Sequence, residues 1–493
     1  MMQLKRYVAL DFGAESGRAI AASFNGKAIE LETLHRFTTH STTMLGTLYW
    51  DFPSFIRNIK VGLSAYSAKY GSKLSGIACD SWGVDFGLLD KTGHLLANPV
   101  HYRDPRTQGM AEKLHAIIPS RTLYQRTGIQ LMEFNTIYQL YSMVLANSPL
   151  LDKAVSMLMI ADLVSYFLSG TPAQEYTLAT TSGMYDAEKR DWSRDTLLSA
   201  KIPPVMMPEI VAPGTVVGSL LDGVAGEVGL GPTPVIAPGS HDTASAVAAV
   251  PAVGEDWLYI SSGTWSLMGA ELASPILNDA TFSRNFTNEG GVDGTIRFLK
   301  NISGMWMLQE CRRVWAKAGE ELDYATMIRL GAEAEPFQRV VNPNDERLMF
   351  PGGDMPERIN AALRESGQSE AKEKGDFIRL CLESLALAYR HTATALAELT
   401  GKKYNVIHIV GGGSQNRLMN QFAADATGMT VKAGPVEATA LGNALMQALA
   451  LGDIASLAEA REVVRNSVEV TTFEPSGDRS GWDDLYSRFL KLA

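Results

Sequence analysis

The pattern of apolar residues at the N-terminus predicts strands rather than helices. An apolar run at 7–10 is followed by a second run at 18–24, which is rich in small and apolar residues. Asn25-Gly26 then supplies a hairpin turn before Ile29. The chain is therefore expected to open with neighbouring strands joined by tight turns.

A helical period follows this opening, and strands resume after it. Apolar side chains recur at intervals of three or four residues across 52–70, which is typical of a helix with one buried face. Further strands are predicted at 77–80 and 84–89, and residues 106–170 are mainly helical by pattern. The order strand, strand, strand, helix, strand differs from a simple alternation of strands and helices.

The second half of the chain repeats this outline. Strands are predicted at 257–262, 267–272, 295–299, 406–410 and 430–432, and helices at 376–399, 416–426 and 438–451. Each half begins with a strand that ends in a turn of small residues, at 10–14 and at 260–264. The outline predicts two duplicated α/β units that face each other across a cleft. The Pro- and Gly-rich stretch 202–240 is interpreted as the boundary.

Length and composition agree with two globular domains and argue against several other classes. The chain has 493 residues, of which 46% are hydrophobic and 20% charged, so disorder is not expected. A net charge of -10 without any run of Lys or Arg argues against a nucleic-acid binder. Three separated cysteines form no disulfide framework. No apolar segment predicts a signal peptide or a membrane span, and we expect a cytoplasmic protein.

The turn after the first strand has residues suited to phosphate and magnesium. Asp11 lies at a strand end, where its carboxylate could hold Mg²⁺ through water. Gly13 and Gly17 would let the backbone approach phosphate oxygens closely. The alternative interpretation is an ordinary hairpin, since short glycine motifs have many false positives.

Two more glycine-bearing turns lie in the second half. The turn at 261–264 occupies the place equivalent to the first, and the two turns would hold a nucleoside triphosphate from both sides. Gly411-Gly412-Gly413 follows a predicted strand, where the lack of Cβ atoms leaves room for an adenine ring. The alternative for these three glycines is a tight strand-to-helix turn.

Asp242, a candidate catalytic carboxylate, follows the stretch 202–240. Ser240-His241-Asp242-Thr243 precedes an Ala-rich helical run. Phosphoryl transfer needs mostly positioning and charge neutralisation, with one carboxylate to orient the nucleophile. Asp242 is therefore a candidate general base for a sugar hydroxyl. The alternative is a helix cap formed by Ser240 or Asp242.

A tryptophan between two carboxylates is a candidate sugar-binding segment. Trp82 beside Gly83 offers a stacking face and an approachable backbone, and Asp80 and Asp85 offer acceptors for hydroxyl groups. The alternative is a packed Trp in a hairpin corner. Cys79 is expected to be a buried small hydrophobe rather than a nucleophile.

The order of these motifs resembles the rhamnulokinase branch of the FGGY carbohydrate kinases. The resemblance covers about residues 7 to 475, although the tetrapeptide that names the family does not occur in this chain. The stretches that carry it are 11–18, 82–86, 102–107, 134–140, 240–245, 261–268, 288–291, 299–302, 341–345, 408–413 and 433–438. Those at 82–86, 240–245 and 261–268 are specific to that branch.

The resemblance implies an α/β fold of two actin-like (ribonuclease H-like) domains with the active site in the cleft between them. The implied domains are 1–244 for sugar and phosphate, 245–460 for nucleotide, and a segment 461–493 that packs back on the first domain. The implied reaction converts ATP and L-rhamnulose to ADP and L-rhamnulose 1-phosphate in L-rhamnose degradation. No nucleic acid, membrane or obligatory protein partner is implied.

The resemblance also assigns individual residues. Asp242 would be the proton acceptor, and Asp11 would organise Mg²⁺ through water. The implied ATP contacts are Ala14, Glu15, Ser16, Gly17, Arg18, Thr264, Gln309 and Gly412. The implied sugar contacts are Gly83, His241, Asp242, Thr243 and Asn301. Glu15 adds a negative charge to the phosphate turn.

Three other functions compete with this one. Another kinase of the family, for L-fuculose or D-xylulose, would share the ATP motifs and differ around Trp82, His241 and Asn301. A non-enzymatic actin-like ATP switch would not need Asp242. A plain sugar-binding protein would leave the two phosphate-type turns unexplained.

Overall fold

The computed structural model describes residues 4–349 and 352–492. The chain forms two compact units. The first comprises Met1–Pro251, Glu271–Phe298 and Ala438–Ser467, and the second comprises Ala252–Ala270, Leu299–Glu437 and Val468–Ala493. Over the described residues, no helix combines the length and apolarity needed to cross a bilayer. The domain limits 1–244, 245–460 and 461–493 stay a prediction.

The described residues form an α/β fold. The strands are β1 (Lys5–Phe12), β2 (Ser16–Phe24), β3 (Ile29–Thr38), β4 (Ser41–Met44), β5 (Thr47–Trp50), β6 (Gly76–Ser81), β7 (Phe86–Leu89), β8 (Ser156–Met159), β9 (Gln174–Glu175), β10 (Tyr185–Asp186), β11 (Asp191–Trp192), β12 (Ile210–Val211), β13 (Thr215–Ser219), β14 (Pro234–Ala237), β15 (Trp257–Ser262), β16 (Ser266–Leu272), β17 (Thr287–Gly290), β18 (Ile296–Ile302), β19 (Val406–Val410), β20 (Thr430–Ala433) and β21 (Thr471–Phe473).

The helices separate groups of these strands. They are α1 (Phe52–Tyr70), α2 (Met110–His115), α3 (Ser120–Thr127), α4 (Thr136–Leu145), α5 (Pro149–Lys153), α6 (Ile160–Ser169), α7 (Tyr176–Thr181), α8 (Arg194–Ser199), α9 (Asp222–Val228), α10 (Asp242–Ala248), α11 (Asp279–Ser283), α12 (Trp306–Lys317), α13 (Tyr324–Glu333), α14 (Glu346–Met349), α15 (Met355–Glu365), α16 (Lys374–Thr400), α17 (Arg417–Thr427), α18 (Ala438–Ala450), α19 (Leu457–Ser467) and α20 (Ser480–Phe489). Short 3₁₀ turns lie at Pro105–Thr107, Pro204–Met206 and Gly412–Gln415.

A six-stranded sheet forms the centre of the first unit, in the order β13-β14-β6-β1-β2-β3. β1 is antiparallel to β2 and parallel to β6. Successive side chains of a strand point to opposite faces. Val8 and Leu10 accordingly join the core that contains Phe55 of α1, whereas Ala9 packs with Ala440 of α18. Helices therefore cover both faces of this sheet.

The second unit repeats the connections around the first strand. β15 is antiparallel to the next strand, β16, and parallel to β19, as β1 is to β2 and β6. β20 continues the sheet parallel to β19. The duplicated outline predicted from the sequence is thus present in the strand connections of both units.

The longest predicted elements are confirmed. The helix predicted at 52–70 is α1, and Phe55, Ile59, Leu63 and Tyr66 are all fully buried on it. Two details differ from the prediction. The strand predicted from residue 84 begins at Phe86, because Val84 has a φ of 70° and cannot continue a strand. The stretch 202–240, interpreted as a boundary, supplies β13 and β14 to the first sheet.

Candidate active site

The predicted phosphate turn joins β1 to β2 in the first unit. Asp11 is buried at the end of β1 and is paired with Arg18, which lies opposite it on β2. The turn is closed by a hydrogen bond from the Gly13 amide to the carbonyl of Ser16 (2.9 Å). Glu15 is exposed to solvent. The turn is therefore a short hairpin with Ala14 and Glu15 at its tip.

The two glycines of this turn differ in how much space surrounds them. A Cβ at Gly17 would lie 2.3 Å from the ring of Phe37, so a side chain there would require the ring to move. A Cβ at Gly13 would meet only the carbonyl oxygen of Ser16, at 3.4 Å. Gly13 is thus the more open of the two positions, and the need for glycine at position 17 comes from the neighbouring strand.

Asp80 lies beside Asp11 across the parallel pair β1 and β6. Its Oδ2 accepts a hydrogen bond from Asn443 of α18 (2.6 Å), and its buried Oδ1 has no hydrogen-bond partner among the described residues. Burial and then the charge of Asp11 raise the pKa of Asp80 well above its ordinary value, although the bond from Asn443 opposes the shift. Two neighbouring carboxylates with an unpartnered oxygen fit a hydrated Mg²⁺ ion.

Gly83 and His241, two of the predicted sugar contacts, follow the ends of neighbouring strands in the first unit. The Ser81 amide donates to the carbonyl of Ser240 (2.8 Å), so Gly83 and His241 belong to adjoining segments. A Cβ at Gly83 would lie 2.9 Å from Oγ1 of Thr181, on α7. Glycine at 83 is therefore needed for the close approach of α7.

Trp82 matches the interpretation of a packed side chain better than that of a free stacking face. It is 8% exposed, and its ring centroid lies 4.5 Å from that of Trp50. The indoles of Trp50 and Trp82 both donate to Oδ2 of Asp85, at 2.7 and 3.0 Å, and Gln139 donates to Oδ1 at 3.1 Å. The Asp85 carboxylate is thus engaged in holding the tryptophans.

Val84 lies between Gly83 and Asp85 in an unfavourable backbone conformation. Its φ of 70° is in the left-handed region, which β-branched residues rarely adopt. The Val84 carbonyl accepts hydrogen bonds from Thr136 (2.7 Å) and Gln139 (3.2 Å), both of α4. These contacts hold the segment 82–85 in place against its own conformational preference.

Asp242 is the first residue of α10, and its two oxygens have different surroundings. Oδ1 accepts hydrogen bonds from the amide (2.6 Å) and the hydroxyl (3.2 Å) of Thr243, and it lies 3.5 Å from Nε2 of His241. No hydrogen bond to Oδ2 occurs within 4–349 and 352–492. His241 is the N-cap residue, so the alternative in which Ser240 or Asp242 caps the helix is wrong.

Helix α7, which the sequence interpretation missed, holds the backbone of this motif. The Ser240 amide donates to Oε2 of Glu175 (3.2 Å), and the His241 amide donates to Oγ1 of Thr177 (2.9 Å). Glu175 also caps α7 by accepting from the amides of Thr177 and Leu178. Because these contacts span more than sixty positions of the chain, no local sequence signal indicates them.

The raised pKa of Glu175 predicts that the stability of the protein depends on pH. Burial raises its pKa to about 7 from an ordinary 4.5, although the hydrogen bonds from Thr177, Leu178 and Ser240 oppose the shift. The folded protein thus binds this proton more tightly than the unfolded chain does. The stability that results is fully present below pH 4.5 and is lost as the pH rises through about 7.

We expect the Tm of the wild type to fall relative to that of Glu175→Gln between pH 4.5 and 7. The shift corresponds to about 3 kcal/mol at most. Thermal unfolding of both proteins across this range measures the difference. Exposed Glu462→Gln, on α19, is the control that should track the wild type at every pH. A constant difference between wild type and Glu175→Gln would contradict this account.

The second unit contains its own glycine turn next to β15. A Cβ at Gly413 would lie 2.0 Å from Oγ of Ser262, and one at Gly411 would lie 3.1 Å from the Ser262 carbonyl oxygen. A Cβ at Gly412 would meet nothing within 4 Å, and Gly412 is exposed. Gly412, the predicted ATP contact, is therefore the open position of the three.

The other predicted contacts of the second unit lie on separate elements. Thr264 follows β15 and is half-buried, Gln309 is half-buried on α12, and Asn301 is half-buried on β18. The first unit contains Asp11, residues 14–18, Gly83 and residues 241–243. Asn301 is thus the one predicted sugar contact in the second unit. The assignment of all these residues to ligands stays a prediction.

Matches to family models in both halves of the chain define the class of protein, a two-domain sugar kinase. Residues 6–249 match the N-terminal domain model of the FGGY family of carbohydrate kinases, and residues 258–451 match the C-terminal domain model. The chain belongs to the FGGY family of carbohydrate kinases. The predicted fold class and the predicted enzyme class, a phosphotransferase with an alcohol group as acceptor, are confirmed.

Relatives named rhamnulokinase resemble this chain over nearly its whole length. The rhamnulokinase of Bacteroides thetaiotaomicron is 40% identical over 485 residues, which are 98% of this chain and 99% of that protein. The rhamnulokinase of Enterococcus faecalis is 37% identical over 494 residues, which are 99% of this chain and 98% of that protein. The predicted resemblance is therefore confirmed.

Solved structures of other sugar kinases share the fold. Gluconate kinase from Lactobacillus acidophilus superimposes with a TM-score of 0.84 at 16% identity, over 99% of this chain and 98% of the other. Xylulose kinase from Rhodospirillum rubrum does so with a TM-score of 0.81 at 19% identity, over 99% and 98%. These similarities concern the fold alone.

Proposed function

We propose that this chain transfers the γ-phosphoryl group of ATP to the 1-hydroxyl of L-rhamnulose, giving L-rhamnulose 1-phosphate and ADP. The sequence identity of 40% and 37% to two rhamnulokinases, over nearly the whole chain, supports L-rhamnulose as the sugar substrate. The observation that carries the chemistry is the environment of Asp242, where one carboxylate oxygen is engaged and the other is left for a substrate proton.

Asp242 acts as the general base. Thr243 donates two hydrogen bonds to Oδ1 and fixes the orientation of the carboxylate. Oδ2 then accepts the proton of the sugar hydroxyl as the hydroxyl oxygen attacks the γ-phosphorus. Glu175 and Thr177 keep this carboxylate in place by holding the backbone at Ser240 and His241.

The proposed nucleotide contacts are Ala14, Glu15, Ser16, Gly17, Arg18, Thr264, Gln309 and Gly412. Mg²⁺, when bound, neutralises charge on the phosphates. Asp11 would hold it through water, and the neighbouring Asp80 adds a second carboxylate. Besides Asp242, the proposed sugar contacts are Gly83, His241, Thr243 and Asn301. We place the reaction in the cytoplasm, with no obligatory protein partner.

A panel of ketoses tests this function. Release of ADP, measured with a coupled assay, should give the highest kcat/KM for L-rhamnulose and lower values for L-fuculose and D-xylulose. The product should be phosphorylated at the 1-hydroxyl. A preference for either of the other two ketoses would assign a different sugar within the same family, and ATP hydrolysis without any sugar product would favour an actin-like switch.

A further inference from the structure

A buried arginine contacts the histidine that precedes the proposed base. Arg297 of β18 is fully buried. Its Nε donates to the carbonyl of Gly290 (2.8 Å), and its Nη2 lies 2.9 Å from Nδ1 of His241. Nη2 also lies 3.1 Å from Oε2 of Glu289, which is 5% exposed. Arg297 is thus fixed by a backbone carbonyl and a carboxylate while one N–H group is directed at the imidazole.

This contact determines where the proton of His241 can be. A guanidinium group only donates hydrogen bonds, so Nδ1 must present a lone pair to receive one from Nη2. A neutral imidazole has a single N–H group, which then belongs to Nε2. Nε2 is the nitrogen that lies 3.5 Å from Oδ1 of Asp242. The N–H of His241 therefore faces the proposed catalytic carboxylate.

Glu289 is the competing partner of the same nitrogen. Its Oε2 lies 3.3 Å from Nδ1, and a proton on Nδ1 could be donated to it. That proton would, however, oppose the N–H group of Arg297 at 2.9 Å. Over the described residues, Oε2 of Glu289 meets no contact with hydrogen-bond geometry, whereas the contact between Arg297 and His241 does. The geometry thus favours donation from Arg297 to His241.

We propose that Arg297 is a positioning residue that holds His241 as the Nε2–H tautomer. In this tautomer His241 has no lone pair directed at the substrate, so it cannot act as the base in place of Asp242. Its Nε2–H group instead donates toward Oδ1 of Asp242 or a sugar oxygen, which leaves Oδ2 as the proton acceptor. This inference rests on the proposed function, because it assigns the roles of two neighbouring groups in that reaction.

Glu289 completes the arrangement by balancing the buried charge. Although burial raises the pKa of Glu289, the positive charge of Arg297 lowers it, and the pKa lies below its ordinary value. Glu289 is thus ionised and compensates Arg297 electrostatically. Removing Arg297 alone would leave a buried carboxylate without its partner, which is strongly destabilising. Variants that test Arg297 must therefore either keep a positive charge opposite Glu289 or remove both charges together.

The tautomer can be observed directly in the protein without ligands. In protein labelled with ¹⁵N-histidine, two-bond ¹⁵N–¹H correlation spectra distinguish a protonated Nδ1 from a protonated Nε2. The signals of His241 are assigned by their loss in His241→Gln. We expect Nδ1 to be unprotonated and Nε2 protonated at neutral pH. A protonated Nδ1 would overturn the proposal and assign Glu289 as the acceptor.

Two variants test the effect on catalysis. Arg297→Lys keeps a charge opposite Glu289 but loses the planar fork, and the pair Arg297→Met with Glu289→Gln removes both charges together. We expect both to lower kcat/KM for the sugar, the neutral pair by about tenfold or more, as when a partner that orients a functional histidine is removed. The KM for ATP should stay unchanged, and Arg297→Lys should retain more activity.

Arg461→Lys is the matched control. Arg461 forms an ion pair with Glu271 in the same unit, and its Nη2 donates to both carboxylate oxygens at 3.0 Å. Its substitution should lower Tm while leaving the His241 tautomer and the sugar kinetics unchanged. Wild-type kinetics in the folded Arg297 variants would overturn the proposal. If the wild type itself phosphorylates no ketose, the proposed function fails, whereas the spectra still decide the tautomer.

Discussion

Asp242→Asn is expected to lower kcat for sugar phosphorylation at least about 100-fold, the lower end of the contribution of a positioned base. The amide keeps the size of the side chain, and its oxygen still accepts from Thr243. It cannot, however, take a proton from the sugar hydroxyl at neutral pH. ATP should still bind, since the proposed nucleotide contacts are other residues. Steady-state kinetics and an ATP titration by calorimetry measure the two quantities.

Asp222→Asn provides the control for this experiment. Asp222 is also the first residue of a helix of the first unit, α9, and it is exposed. Its substitution tests whether a lost carboxylate at a helix start matters in general, and kcat should not change. Near-normal turnover in Asp242→Asn would remove the role of general base from this residue. Loss of ATP binding would show that the variant acts through the structure of the site.

Gly442→Ala is expected to destabilise the first unit severely and to lower activity with it. A Cβ at Gly442 of α18 would lie 1.8 Å from the carbonyl oxygen of Ser245 on α10. The obstacle is backbone, so one helix must move, at a cost near or above the upper end of the usual 1–3 kcal/mol of an overpacked core. Since α10 begins at Asp242, the movement also displaces the proposed base. Thermal unfolding and kcat report the two effects.

Gly226→Ala separates this steric effect from the general effect of glycine in a helix. Gly226 lies in α9, where an added Cβ would meet nothing within 4 Å. Alanine is favoured over glycine in helices, so Tm should stay the same or rise. A Tm of Gly442→Ala close to that of the wild type would show that α10 and α18 are less closely packed than the structure describes.

Regular elements with a strong local pattern could be predicted from the sequence. The apolar period of α1 and the apolar runs of β15 and β19 are local properties, and each is found close to its predicted limits. The start of β7 was misplaced because the φ of Val84 is imposed by contacts from α4, not by its own preference. Propensity describes a residue alone, whereas packing from distant elements decides such positions.

The residues of the candidate site fall into the same two groups, those indicated by a local sequence pattern and those fixed by contacts with distant residues. Asp242 and Gly83 were predicted because they lie in short motifs next to predicted strands and helices. Arg297 and Glu175 were not, since their contacts with His241 and Ser240 join residues 56 and 65 positions apart. Gly17 was interpreted as an approach for phosphate, but the ring of Phe37 is a sufficient reason for it. A motif indicates which residues are special but not which neighbour makes them so.

The left-handed backbone at Val84 has a consequence for attempts to engineer this protein. Glycine there would remove a conformational cost of order 1–3 kcal/mol. It would also remove a buried apolar side chain and give the unfolded chain more conformational freedom, and both effects lower stability. The same change would loosen the loop that contains Gly83, one of the proposed sugar contacts. The strain of the backbone and the burial of the side chain therefore oppose each other at position 84, and relieving the first by substitution gives up the second.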